Sequence, residues 1–454
     1  MSLTLSFFGG VGTVTGSRFL LESNDRRILV DCGLFQGLKQ LRLKNWAPFP
    51  VEPASIEAVL LTHAHIDHSG YLPALVRDGF SGRILSSHAT MNLCEILLPD
   101  SGFLQEKDAQ FANRHGFSKH KPALPLYTAE DAKAALPRFS PIPFHEPHQL
   151  SGGPTVRLRR AGHILGAATI ECDWAGQRIV FSGDLGRLDD PMMVDPEPVA
   201  SADYLVVEST YGDRSHDRRD PQEALAEIVN RTTGRGGTVI IPAFAVGRAQ
   251  SLLYHLERLS VAGRLPNVPI FLDSPMAVNA SNLLCSHLDD HRLTADACRR
   301  ACGIAQYVRG VEESKALTAN PVPKIIISAS GMATGGRVLH HLKRYAPDGR
   351  STILFTGFQA AGTRGAAMVG GADRVKIHGE YIPVRAEVQN LSMLSAHADA
   401  DEIMTWLGRF ESAPKMTFVS HGEPSASDVL RRRIEEELGW QCRVPEQLEK
   451  VVLD

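Results

Sequence analysis

The run Thr62-His63-Ala64-His65-Ile66-Asp67-His68 constrains this chain more than any other feature. It sets three imidazoles and a carboxylate side by side, directly after the apolar run Ala58-Val59-Leu60-Leu61. Imidazole and carboxylate are the donors zinc takes when a water must also be bound. No structural role favours this spacing, so the run predicts a buried strand that ends at a metal site. One short loop cannot saturate two metals, so further ligands should come from other strand ends.

Three candidates sit in glycine-flanked turns: His163 in Ala161-Gly162-His163, Asp184 in Ser182-Gly183-Asp184-Leu185-Gly186, and His421 in Ser420-His421-Gly422. Asp31 closes another apolar run, Leu29-Val30-Asp31-Cys32-Gly33. Glycine beside each lets the backbone turn sharply and approach an ion. A lone histidine at a strand end is more often a hydrogen-bonded core or surface residue. The case for His163 and His421 therefore leans on the cluster at His63.

The first part of the chain reads as short strands closed by Gly, Asn or Asp, with helices over Tyr71–Asp78 and around Thr90–Leu98. From about Asp220 the texture changes to alternating helix and strand, the pattern of βαβ units around a parallel sheet. Strand-rich texture returns near Val375, and helices flank the strand Lys415–His421. An α/β segment is thus inserted within another domain. The expected division is 1–211 with 391–454, and 212–390. Residues 116–125 read as a loop, and Lys119, His120 and Lys121 as its solvated charges.

The length of 454 residues fits two or three domains, and 43% hydrophobic with 22% charged residues is an ordinary globular mix. A net charge of -3 excludes a globally basic nucleic-acid binder, but not local grip on phosphates. The 7 cysteines are scattered without a CxxC pair, which predicts buried free thiols. Cys298 and Cys302 could share a helix face, but no further metal motif accompanies them. The sequence shows no signal peptide and no membrane-spanning run, so a cytoplasmic location is expected.

With its downstream His and Asp turns, the HxHxDH run resembles the metallo-β-lactamase superfamily. The second half resembles the β-CASP branch of RNA-processing nucleases, most closely its prokaryotic members and the 3′-end-processing endonuclease of the cleavage and polyadenylation machinery. Three further motifs carry that likeness: Glu208 in Val206-Val207-Glu208-Ser209-Thr210-Tyr211-Gly212, His397 in Ser395-Ala396-His397-Ala398-Asp399, and His421. The resemblance implies an αββα sandwich with an inserted α/β domain built on a parallel sheet. It implies two zinc ions, one held by His63, His65 and His163, the other by Asp67, His68 and His421, with Asp184 bridging. Asp31 would orient ligand histidines. His397 would be the general acid, with Glu208 hydrogen-bonded to it, while Asp184 and Asp67 also belong to the catalytic centre.

RNA is the implied substrate and partner, cleaved by hydrolysis to 5′-phosphate and 3′-hydroxyl ends in endonucleolytic processing or decay. No membrane is implied, and a homodimer is compatible with the pattern. Arg248, Ser274, Ser330 and Gly331 lie at strand-to-helix turns suited to backbone phosphates. Ordinary strand-to-helix connections also favour Gly and Ser. Two rival readings are a small-molecule metallohydrolase of the thioesterase type and an inactive RNA-binding scaffold. The large insertion argues against the first, the intact ligand set against the second.

Overall fold

The computed structural model describes residues 2–116 and 118–454, so Phe117 of the expected loop lies outside the described residues. The chain forms two compact units, Met1–Ser215 with His397–Asp454, and His216–Ala396. Both divisions fall a few residues beyond the expected ones.

The first unit holds two seven-stranded sheets. One runs Lys450–Leu453, Leu3–Gly9, Arg18–Ser23, Arg26–Val30, Ala58–Leu60, Arg83–Ser86, Phe139–Pro141. The other runs Cys442–Arg443, Met416–Ser420, Tyr204–Glu208, Gln177–Phe181, Ala168–Trp174, Thr155–Arg160, His148–Gln149. Period-two alternation turns Leu3, Leu5 and Phe7 inward, where they share a core with Ile179, Phe181, Val206 and Phe418 of the opposite sheet. The Phe7 and Phe418 rings lie 5.1 Å apart, and Phe19 and Phe181 5.8 Å. Each such fully buried side chain contributes about 1.5–3 kcal/mol.

Helices cover the outer faces. Ile403, Trp406 and Leu407 of helix Ala400–Leu407 pack with Leu430 of helix Pro424–Arg433 onto Val180, Leu205 and Val207. On the other side, helices Leu72–Arg77 and His88–His115 bury Leu72, Leu75, Leu93 and Leu98. The second of these extends well past the expected end at Leu98 and runs through Pro99. Gly102, Ala109 and Ala112 go on burying a face beyond the proline, and that packing outweighs a break worth about 3 kcal/mol.

The second unit is built on six parallel strands in the order Gln306–Tyr307, Ile270–Asp273, Ile325–Ser328, Val239–Pro242, Thr352–Phe355, Glu387–Asn390. Its two faces bury separate cores, Ile241, Ile325 and Ile327 on one side, Ile240, Ile326 and Ile353 on the other. Helices Pro275–Ser286, Ala295–Gly303 and Val311–Ala319 add to those read from the sequence. The free-thiol expectation fails at one place: Cys285 and Cys298 form a disulfide. Two helix ends bring their Cα atoms within 5.7 Å across a separation of 13 residues. Cys302 Sγ lies 3.7 Å from Cys285 Sγ, and Cys32, Cys94 and Cys172 are buried and free. Among the described residues, no helix is long and apolar enough to cross a membrane.

Candidate metal centre

Strand ends at one edge of the sandwich deliver the cluster, the position where open α/β sheets place their ligands. Asp31 follows Arg26–Val30, the His63–His68 run follows Ala58–Leu60, and His163 follows Thr155–Arg160. Asp184 follows Gln177–Phe181, Glu208 ends Tyr204–Glu208, and His421 follows Met416–Ser420. Strand Ala58–Leu60 is fully buried and pairs on both sides, which fixes where the histidine run starts. Two glycines allow the turns to touch. A Cβ on Gly33 would stand 1.6 Å from the Asp67 carbonyl oxygen, and one on Gly186 2.1 Å from that of Gly162.

The donors gather into two groups, each with its ligand atoms within 4.8 Å of one another. In the first, His65 Nδ1 lies 3.2 Å from His63 Nε2 and 3.1 Å from His163 Nε2. Asp184 Oδ2 completes it, 3.4 Å from His63 Nε2. In the second, His68 Nε2 lies 3.1 Å from His421 Nε2, which is 3.5 Å from Asp67 Oδ2. Asp184 Oδ1 stands 3.2 Å from His68 Nε2, so the two oxygens of one carboxylate serve both groups.

Asp184 is 1% exposed, and neither of its oxygens receives a hydrogen bond. A buried carboxylate in that state is costly unless a cation faces it. Burial opposes its ionisation, but the rings of His421, His68 and His63 hold it well below the usual carboxylate range. Nitrogen and oxygen donors converging on an orphaned bridging carboxylate fit a pair of metal ions.

The outer contacts orient the ligands. Asp31, with a left-handed φ of 57°, accepts from His68 Nδ1 at 2.7 Å and from the Thr62 backbone N–H at 2.8 Å. A carboxylate can only accept, so Nδ1 of His68 carries a proton and Nε2 is the atom left to ligate an ion. Thr62 Oγ1 also contacts His63 Nδ1 at 3.1 Å, and Thr210 Oγ1 contacts His421 Nδ1 at 3.1 Å. Arg18 is buried, stacks on the Tyr71 ring at 4.1 Å, and donates through Nε and NH2 to the Gly33 carbonyl at 3.0 and 2.8 Å. That pins the Asp31–Gly33 turn. Sequence reasoning assigned no role to Thr62, Thr210 or Arg18. The hydroxyl next to His63 was a signal for Thr62; Thr210, in the Glu208 motif, meets His421 only in the fold, and Arg18 left none.

His397 Nδ1 lies 3.2 Å from Glu208 Oε2 and 3.9 Å from Asp184 Oδ2. Glu208 Oε1 is fixed in turn by the Leu185 N–H at 2.6 Å. Burial pushes the His397 pKa down, but the Glu208 carboxylate and then Asp184 and Asp67 carry it above the ordinary value. Asp184, Glu208 and His397 also come close enough to hold an ion among themselves.

The expected phosphate contacts lie in the second unit and have local tasks there. Ser274 Oγ caps helix Pro275–Ser286 by accepting from Ala277 N–H at 3.2 Å. A Cβ on Gly331 would stand 2.7 Å from the Phe244 ring. Arg248 opens helix Arg248–Val261 and is 7% exposed. Ser330 Oγ accepts from Thr334 N–H at 3.0 Å and is partly exposed.

A two-sheet sandwich with a histidine–aspartate cluster along one strand edge defines the metallo-hydrolase class. Comparison with known proteins agrees. Residues 11–231 match the metallo-β-lactamase superfamily, 249–368 the β-CASP domain, and 381–445 a Zn-dependent metallo-hydrolase RNA specificity domain. The chain is 38% identical over 424 residues to Ribonuclease TTHA0252 of Thermus thermophilus, covering 92% of each. It is 28% identical to Transcription termination factor FttA of Methanocaldococcus jannaschii, covering 99% of this chain and 71% of that one. A crystal structure of a protein of unknown function from Enterococcus faecalis V583 shares the fold, with a TM-score of 0.54, 14% identity and 100% of both chains covered. The chain belongs to the β-CASP family of the metallo-β-lactamase superfamily.

Proposed function

We propose that this protein is a two-zinc ribonuclease that hydrolyses RNA phosphodiester bonds within the strand, leaving 5′-phosphate and 3′-hydroxyl ends. One observation carries the metal part: buried Asp184 turns one oxygen to each of two donor groups and has no hydrogen bond of its own. The ribonuclease relative and the RNA specificity match support RNA as substrate. His63, His65 and His163 would hold one zinc, and Asp67, His68 and His421 the other, with Asp184 shared.

Bound zinc would lower the pKa of a water and stabilise charge on the phosphate oxygens. The remaining tasks fall to this chain's side chains. His397, held at Nδ1 by Glu208, presents Nε2 as the proton donor to the departing 3′-oxygen. Glu208 keeps the ring oriented and its protonated form populated. Asp31 and Thr210 fix which nitrogen of His68 and His421 faces the ions. The test is cleavage of labelled RNA before and after chelation. Activity should vanish with the metal and return with added zinc; full activity in the metal-free chain would sink the proposal.

A further inference from the structure

Far from the metal ligands in sequence, the second unit carries a small antiparallel hairpin, Arg374–Ile377 paired with Glu380–Pro383. Its turn is His378-Gly379, both at positive φ, 49° and 87°. Positive φ at both central residues is the two-residue turn that matches strand twist, so the hairpin is tight and its register fixed. Val375, Ile377 and Ile382 point inward and join the core beneath. The register puts Lys376 opposite Tyr381 and Arg374 opposite Pro383, so these four share the outward face.

That face is unusual for a chain with net charge -3. Tyr381 is 64% exposed, yet both neighbouring cations lie over its ring, Arg374 at 5.2 Å and Lys376 at 5.7 Å. Arg364 ties the hairpin to the Ser330 turn, donating to Lys376 carbonyl oxygen at 2.6 Å and to those of Ala333 and Thr334 at 3.1 and 3.0 Å. Beside the turn, the rings of His378 and His340 lie 5.0 Å apart. The hairpin's one carboxylate, Glu380, is paired with Lys343 at 2.6 Å. The field is cationic: after burial, His340, Lys343 and Arg364 are what push the His378 pKa down.

An exposed aromatic ring flanked by cations is the arrangement that receives single-stranded nucleic acid: the ring stacks a base and the cations take the adjoining phosphates. We propose that the hairpin Arg374–Pro383 is a base-stacking platform for single-stranded RNA, with Tyr381 as the ring and Arg374 and Lys376 as the phosphate contacts. The proposal rests on the ribonuclease reading. The platform has no part in the chemistry. It holds a stretch of strand against a surface tied to the Ser330 turn through Arg364, and it favours single-stranded over duplex RNA because inside a duplex both faces of a base are stacked on its neighbours.

The test is fluorescence anisotropy of a labelled 20-nucleotide oligouridylate with the full chain, treated with chelator so that nothing is cut. Tyr381→Ala should weaken binding by roughly 5- to 150-fold, the range for loss of one base–aromatic stack, while Tyr381→Phe should keep it. Arg374→Ala with Lys376→Ala should flatten the dependence of log Kd on log salt by about 1.4, for two phosphates on a single strand. Lys107→Ala, on a helix of the first unit, serves as the control. Unchanged affinity in Tyr381→Ala overturns the platform. So does a change in sedimentation coefficient without a change in RNA affinity, which would make this face a contact between copies of the chain. Cleavage of the same oligomer by the metal-loaded parent is scored separately, so failure of the nuclease reading is distinguishable.

Discussion

Replacing Asp31 by Asn changes one atom in size almost nothing and changes the electrostatics of the second metal group. The left-handed φ of 57° is tolerated by Asn as by Asp, so the backbone is not the perturbation. The amide oxygen can still accept from Thr62 N–H, the contact at 2.8 Å. The amide nitrogen, however, would face His68 Nδ1, now 2.7 Å from a carboxylate oxygen. Two donors cannot share that contact, so the His68 proton moves to Nε2, the atom 3.2 Å from Asp184 and 3.1 Å from His421. The ligating lone pair is lost in the favoured tautomer. Loss of such an outer contact lowers metal affinity about 10- to 100-fold, which is about 1.4–2.8 kcal/mol. If the two-zinc proposal holds, competition against a chromophoric chelator should therefore show one zinc weakened by that factor and the zinc assigned to His63, His65 and His163 held as before, with circular dichroism unchanged. Two unaltered affinities in a folded Asp31→Asn chain would refute the reasoning.

On the proposed mechanism, in which the ring supplies a proton rather than a bond to metal, His397→Ala should keep both metals by elemental analysis and lose cleavage by roughly 10²–10⁴-fold; loss of an ion would make it a ligand instead. Gly33→Ala should lower the melting temperature and metal content together, since its Cβ would meet the Asp67 carbonyl oxygen at 1.6 Å and push the ligand turn away. Retention of both metals in that variant would mean the turn has room to move.

The strand ends were legible because most join an apolar run to a polar residue beside glycine, as at Phe181–Asp184 and Val419–Gly422, while at Leu60–His63 the density of histidines gave the signal. At Ser274-Pro275 the sequence showed a turn at a strand end but not the task of its serine, which caps helix Pro275–Ser286 by accepting from Ala277 N–H. Pro99 hid the second half of helix His88–His115, whose continuation depends on packing that a local pattern does not contain. The Cys285–Cys298 bond depends on two helix ends meeting, which no spacing rule gives. Arg18 is the clearest case: a lone arginine opening strand Arg18–Ser23 gives no hint that it will bury its guanidinium against Tyr71 and hold the Gly33 turn.

The most direct test of the account is the chemistry of the cut ends. RNA cleaved by the zinc-loaded chain in H₂¹⁸O should yield fragments with a 5′-phosphate carrying one heavy oxygen and a 3′-hydroxyl, as the proposal that water attacks and His397 protonates the 3′-oxygen requires. A single 2′-deoxy substitution at the scissile position should slow this only modestly. Fragments ending in 2′,3′-cyclic phosphate, with no heavy oxygen and full resistance of the 2′-deoxy linkage, would contradict hydrolysis at the Asp184-centred site even with zinc bound.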